Sequence, residues 1–279
     1  MTFEHKKIKL APFCTAVPSV NDTISVSLFL LLPQLLCLFL SHSYRAIAII
    51  CVSIVAVFLS NLIYSLLQHK IKLFTWSTFL QGFLIGFLLP DTFPILLVLF
   101  VIFFTNIILL YAFGTFGQSW INPISITLVV AYAMGYQYYS LFLLNAESFS
   151  SSNTGLQLFS QGLLEINSVD SSVTNWLNNV IFTHLGISVP EGYITLFLDN
   201  KATIPAFRFN GLTLLSSMLL ISVKSLSGLI PFISLLVYAI LVRVLGLYPF
   251  AEILFQGDIL LALLTSGTLF VTFFILPWF

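Results

Sequence analysis

Apolar runs about 20 residues long, each parted from the next by a few polar positions, fill both ends of this chain, and one long polar stretch from Asn145 to Arg208 separates them. A helix needs ~20 mostly apolar residues to cross the hydrocarbon core of a bilayer. On that measure the pattern predicts spans over 24–41, 46–67, 74–90, 94–113 and 122–144, then 209–226, 229–246 and 257–279, about eight in all. Residues 1–23 form an N-terminal segment, 24–144 a first membrane unit, 145–208 a polar loop and 209–279 a second membrane unit. Within the loop, Ser148 to Thr154 is a serine-rich linker. From Asp170 to Leu185, Val173, Trp176, Leu177, Val180, Ile181 and Leu185 recur at helical spacing. Asp170 or Ser171 is expected to cap this amphipathic helix and Gly186 to end it in the left-handed conformation. The helix is expected on the outer membrane surface or against the bundle, with Trp176 at the interface. The run Tyr193-Ile-Thr-Leu-Phe-Leu198 reads as a short extended segment after the turn at Pro190-Glu-Gly192.

Composition makes the class plain. The chain is 59% hydrophobic and 7% charged, against roughly 25% charged in a soluble domain. It is an all-α integral membrane protein, a polytopic helical bundle. Ten Lys and Arg balance ten Asp and Glu, so net charge gives no reason to expect a nucleic-acid partner. Met1 to Leu10 is polar, and no small-residue cleavage site follows the first apolar run, so no removable signal peptide is expected. Cys14, Cys37 and Cys51 form no CxxC pair and read as buried thiols. His42, His69 and His184 are scattered, which argues against a shared metal site.

Charge placement predicts the topology. Lys6, Lys7 and Lys9 precede the first span and Lys70 and Lys72 follow the second, while the turn between has only Arg45. The N-terminus is therefore expected in the cytoplasm. Five crossings then put 145–208 outside, where Glu147, Glu165, Asp170, Glu191 and Asp199 outnumber Lys201 and Arg208. Asp91, Lys224, Arg243, Glu252 and Asp258 all fall near span ends. No carboxylate stands at mid-span, unlike the usual arrangement in a self-contained proton-coupled pump.

Three shorter features bear on packing. Pro90 and Pro94 bracket Asp91 in a tight turn between the third and fourth spans. Gly82 and Gly86 form a GxxxG pair that lets another helix backbone approach, within the chain in preference to across a dimer. The uncharged joint Phe113-Gly-Thr-Phe-Gly-Gln-Ser-Trp-Ile-Asn122-Pro123 reads as an ordinary turn with Asn122 as N-cap and Pro123 at the first helical position. A re-entrant loop is the alternative.

Three stretches, read together, resemble the RnfD/NqrB family, which comprises the D subunit of the Rnf electron-transport complex and the B subunit of the sodium-pumping NADH:quinone reductase. They are Gln81 to Pro90 with Pro94, the joint from Phe113 to Pro123, and Leu264-Thr-Ser-Gly-Thr-Leu-Phe-Val-Thr-Phe-Phe274. The resemblance runs from about residue 20 to the end. It implies a bundle of inverted repeats similar to urea transporters, in a bacterial cytoplasmic membrane. It also implies a subunit of an oxidoreductase or translocase complex that passes electrons between partner subunits and couples them to Na⁺ or H⁺ movement.

The family carries FMN joined through phosphate to a threonine in a motif similar to SGAT. Ser171-Ser172-Val173-Thr174 aligns with it, which makes Thr174 the covalent FMN site, served by a flavin transferase. A second, noncovalently held flavin is also compatible with the family. Gly and Ala of the motif are Ser172 and Val173 here, and Tyr111-Ala112 and Leu276-Pro277-Trp278 depart from the family's pattern too. Family members continue through about two further helices, so the resemblance implies either a truncated form or an incomplete second repeat. The alternative reading is a small-solute channel or transporter of urea-transporter-like architecture without flavin.

Overall fold

The computed structural model describes residues 19–68, 75–114, 121–139, 167–186, 189, 191–223, 228–246 and 259–278. Outside them lie Lys6, Lys7, Lys9, Lys70 and Lys72, on which the charge rule rests, together with Cys14, His69, Glu147, Glu165, Lys224, Glu252 and Asp258. The Ser148 to Thr154 linker, Pro190 and residues 115–120 of the uncharged joint, read as a turn or a re-entrant loop, lie outside as well.

Every described element is a helix. Helix α1 (Val20–Leu40) starts where Ser19 and Asp22 close a capping box: Asp22 N donates to the Ser19 hydroxyl at 3.2 Å and Ser19 N to the Asp22 carboxylate at 3.1 Å. A three-residue turn, with His42 at φ 56°, leads into α2 (Tyr44–Leu67). With α4 (Ile95–Phe113), these are the three helices long and apolar enough to cross a membrane among the described residues.

The predicted span 229–246 is also a helix, Leu229–Gly246, whereas the third predicted span is shorter than expected. Helix α3 (Trp76–Leu88) has 13 residues, begins at a Thr75 cap and ends before Pro90. At ~1.5 Å per residue it is about 20 Å long, against a hydrocarbon core of ~30 Å. Residues 80 to 88 are buried without a break, so α3 is a central strut enclosed on all sides. The helix is thus shorter than the expected span over 74–90.

Gly82 and Gly86 explain how α3 fits. A Cβ on Gly82 would lie 2.7 Å from the Ile54 Cα, and one on Gly86 would lie 2.6 Å from the Ile50 Cα. The GxxxG pair therefore seats α3 on α2 inside one chain. Beside it Gln81 donates through Nε2 to Asn106 Oδ1 of α4 at 2.8 Å, and Asn106 Nδ2 donates to the Ser60 hydroxyl of α2. The three helices are thus registered by buried, uncharged hydrogen bonds.

Helix α5 (Pro123–Gly135) has Asn122 as its cap, with Ile124 N donating to Asn122 Oδ1 at 2.9 Å, and passes into a 3₁₀ turn at Tyr136–Tyr138. The polar segment contributes α6 (Asp170–Val180), a 3₁₀ turn at Phe182–Leu185, α7 (Tyr193–Leu198) and α8 (Pro205–Arg208). Gly186 closes the turn with φ 64°, as the sequence suggests. Tyr193–Leu198 is helical and not extended. Gly192 enters it at φ 106°, and tertiary hydrogen bonds to Thr195 override the local β preference of Tyr, Ile and Thr.

The second unit holds α9 (Asn210–Ser222) and α10 (Leu229–Gly246), followed by a broken helix. The expected span 257–279 is divided into α11 (Ile259–Thr265) and α12 (Thr268–Phe274) by Gly267 at φ 66°. A Cβ on Gly267 would come within 1.9 Å of the Phe207 ring, so only glycine admits both this turn and that ring. Helix α9 packs on α1, where Gln34 Nε2 donates to the Thr213 hydroxyl at 3.1 Å and the Ser216 hydroxyl donates to Leu30 O at 2.9 Å.

Candidate functional site

The polar segment is organised by one carboxylate. Asp170 is the first residue of α6, and its side chain is fully buried. It turns away from its own helix end and receives four hydrogen bonds. The Thr174 hydroxyl donates to Oδ1 at 2.9 Å and Gly192 N to Oδ1 at 2.9 Å. Thr195 donates to Oδ2 twice, through its N–H at 2.7 Å and its hydroxyl at 2.6 Å. Burial pushes the Asp170 carboxyl up, but the hydrogen bonds from Thr195, Gly192 and Thr174 outweigh it and hold the group below the usual carboxylate range. The Thr195 hydroxyl also accepts from Asn167 N at 3.0 Å, which fastens the entry to α6 onto α7.

This arrangement corrects two expectations about α6. Val169 stands at the N-cap position without a side-chain bond, so neither Asp170 nor Ser171 caps the helix. Docking also uses the polar flank. Asp170 and Thr174 are buried, while Val169, Trp176 and Val180 stay about half exposed, with Val173 and Leu177 at the border. Trp176 faces outward, as an interfacial residue would.

Thr174 is 1% exposed, and its hydroxyl hydrogen is committed to Asp170. An ester at Oγ1 would remove that hydrogen and set phosphate charge against an ionised carboxylate. Two like unit charges about 4 Å apart repel by roughly 4 kcal/mol at an effective dielectric of ~20. Thr174 also lies in the second turn of α6, beyond the free N–H groups of the first turn that would favour an anion. The residues here do not fit a phosphoester-linked flavin on Thr174.

A second set of polar groups joins the segment to the membrane helices. Asn210 Nδ2 donates to Leu196 O of α7 at 2.9 Å and to Leu264 O of α11 at 2.7 Å. Asn200 Nδ2 reaches the same Leu264 carbonyl at 3.3 Å. The carbonyl is available because α11 stops at the break before Gly267. Irregular backbone of this kind requires partners within the protein wherever it meets lipid depth.

The 199–208 stretch also ties several turns to one end of the bundle. Arg208 holds Asp199 through Nε at 2.6 Å and Nη2 at 2.9 Å, and its Nη1 donates to the Ser43 hydroxyl between α1 and α2 at 2.6 Å. Asp91 N donates to Thr203 O at 2.9 Å, and the Thr92 hydroxyl donates to Tyr138 O at 2.7 Å. The α1–α2 turn, the α3–α4 turn, the end of α5 and the 199–208 stretch therefore share one end. This is the arrangement that the sequence expectation of five crossings before the polar segment predicts.

A cleft of about 570 Å³ lies between α1, α2 and α3. Leu28, Phe29, Leu32, Ile50, Ile54 and Phe83 line it, with Cys51 among them. Cys51 is exposed and Cys37 half-buried, which corrects the expectation of buried thiols for these two. Such walls suit hydrocarbon and offer a flavin ring little to hydrogen-bond.

Against family models, the NQR2, RnfD, RnfE family matches residues 7–279. The chain belongs to this family. It is a multi-pass membrane protein of the class that supplies membrane subunits to Rnf- and Nqr-type complexes. Among curated proteins none matches the chain.

For this family member, the sequence located the polar segment and singled out Thr174 but missed the partners that define its environment. Thr195 and Gly192 lie 25 and 22 residues from Asp170. No spacing rule links them. Asn200 and Asn210 were likewise invisible, although two asparagines flanking a short Pro-initiated helix are a usable signal for backbone groups in need of donors.

Proposed function

We propose that this chain is the membrane-embedded subunit of an ion-translocating electron-transport complex of Rnf or Nqr type. It sits in a bacterial cytoplasmic membrane with its N-terminus in the cytoplasm and residues 145–208 outside. Partner subunits pass electrons along or across it, and the complex couples that transfer to Na⁺ or H⁺ movement. The family match over nearly the whole chain carries this reading.

Two features of the chain agree with it. Its helices are registered by neutral groups such as Gln81, Asn106 and Ser60, as suits a scaffold whose redox chemistry is held elsewhere. Residues 191–208 of its polar segment are fastened to the second membrane unit through Asn210, which offers partners a defined surface on one side. Electron transfer in this reading does not run through a flavin on Thr174, whose hydroxyl is buried against a carboxylate.

The test is purification of the tagged full-length chain from its native membranes in mild detergent. Redox subunits are expected to co-purify, and redox-driven cation movement in inverted vesicles should vanish when the chain is deleted. A chain that purifies alone and conducts a neutral solute in proteoliposomes would instead be the channel. Orientation is tested by Glu191→Cys, which an impermeant maleimide should label in intact cells.

A further inference from the structure

We infer that Thr174 serves this chain as a buried latch and carries no covalent flavin. The hydroxyl that the sequence motif nominates is the hydroxyl the fold consumes. Thr174 is 1% exposed, donates to Asp170 Oδ1 at 2.9 Å, and shares that carboxylate with Gly192 and Thr195. The other hydroxyls of the motif, Ser171 and Ser172, are exposed.

What the latch holds is legible from its partners. Thr174 and Asp170 lie one turn apart on α6, so the bond between them orients the carboxylate toward α7. Asp170 then grips both ends of the Gly192 to Thr195 turn, and Asn167 N on the Thr195 hydroxyl completes the ring. From α7 the connection continues through Leu196 O to Asn210 on α9 and to Leu264 O at the helix break. The latch thus fixes the outer helix to the discontinuous part of the second membrane unit. An acceptor threonine must present a free hydroxyl to a transferase. This one would have to leave its carboxylate, and Asp170 would lose a donor in a buried site.

The inference borrows from the proposed function only the outer placement of residues 167–198. Co-purification of partner subunits tests that function separately and can fail while the result below stands. The full-length chain is co-expressed with a flavin transferase and, in the same cells, with a control carrier that has an intact SGAT sequence. Peptides covering 170–198 are then mapped by mass spectrometry. The control is expected to gain the flavin-phosphoryl mass and Thr174 to remain unmodified, whether or not Ser171 or Ser172 reacts. A flavin-phosphoryl mass on Thr174 overturns the inference. For the latch itself, Thr174→Val should speed amide exchange across 170–198 by roughly tenfold, while Thr174→Ser stays near the original. Exchange in Thr174→Val equal to that of the unaltered chain would sink the latch.

Discussion

Arg208 grips Asp199 with two parallel bonds, Nε to Oδ1 at 2.6 Å and Nη2 to Oδ2 at 2.9 Å, and extends its remaining arm to Ser43. One guanidinium therefore pins the polar segment to itself and to the α1–α2 turn. Lysine cannot reproduce this fork. Arg208→Lys is expected to destabilise the protein by about 1–2 kcal/mol, since hydrogen bonds to charged groups contribute ~1.5–3 kcal/mol and one such contact can survive. Melting in detergent measures the loss. In a double-mutant cycle, Asp199→Asn should add little to Arg208→Lys, and full additivity would show that the pair is not coupled.

The contact between Gly86 and Ile50 leaves no room for a methyl group. Gly86→Ala should cost about 1–3 kcal/mol by overpacking, despite the better helix propensity of alanine. A thermal midpoint at or above that of the unaltered chain would mean α2 and α3 do not approach as described.

Gln81, Asn106 and Ser60 form a buried chain in which each link depends on its neighbour. Asn106→Leu alone strands the Gln81 amide and should cost ~1–3 kcal/mol. Replacing all three together, Gln81→Leu, Asn106→Leu and Ser60→Ala, should be less damaging than the single change, because no polar group is left unpaired. Denaturation of both variants in detergent decides it. A triple variant weaker than Asn106→Leu would contradict the idea.

Protonation of Asp170 gives a pH test with a definite sign. Its folded carboxyl titrates below the ordinary aspartate value of about 3.9, so the stabilisation it supplies is fully present above that pH. It is lost as pH falls from about 3.9 through the lower folded value. Amide protection across 170–198 should decline in that acid window and be flat from pH 5 to 8. Asp170→Asn should remove the pH dependence, and a wild-type profile that persists in this variant would place the titrating group elsewhere.

Much of the fold was legible because lipid imposes a simple rule. Hydrophobic length announced α1, α2 and α4, and the caps at Asn122 and the glycines at 82, 86 and 186 followed from local sterics. Length failed at the last predicted span, which Gly267 breaks, and at α3, where apolar character comes from enclosure by neighbours and not from contact with lipid. The two environments draw on the same residues.

By itself, the sequence determined that this chain is a helical membrane bundle interrupted by a polar segment, since backbone groups in hydrocarbon must pair within their own helix and apolar runs of that length have no other stable arrangement. Only the tertiary structure decided that α3 is an enclosed strut, that Phe207 fills the break at Gly267, and that Thr174 gives its proton to Asp170. The first two depend on residues 28 to 60 positions apart meeting in space, and the third on a carboxylate that Gly192 and Thr195, 22 and 25 positions away, hold in place, so a motif read along the sequence carries no record of what will face it.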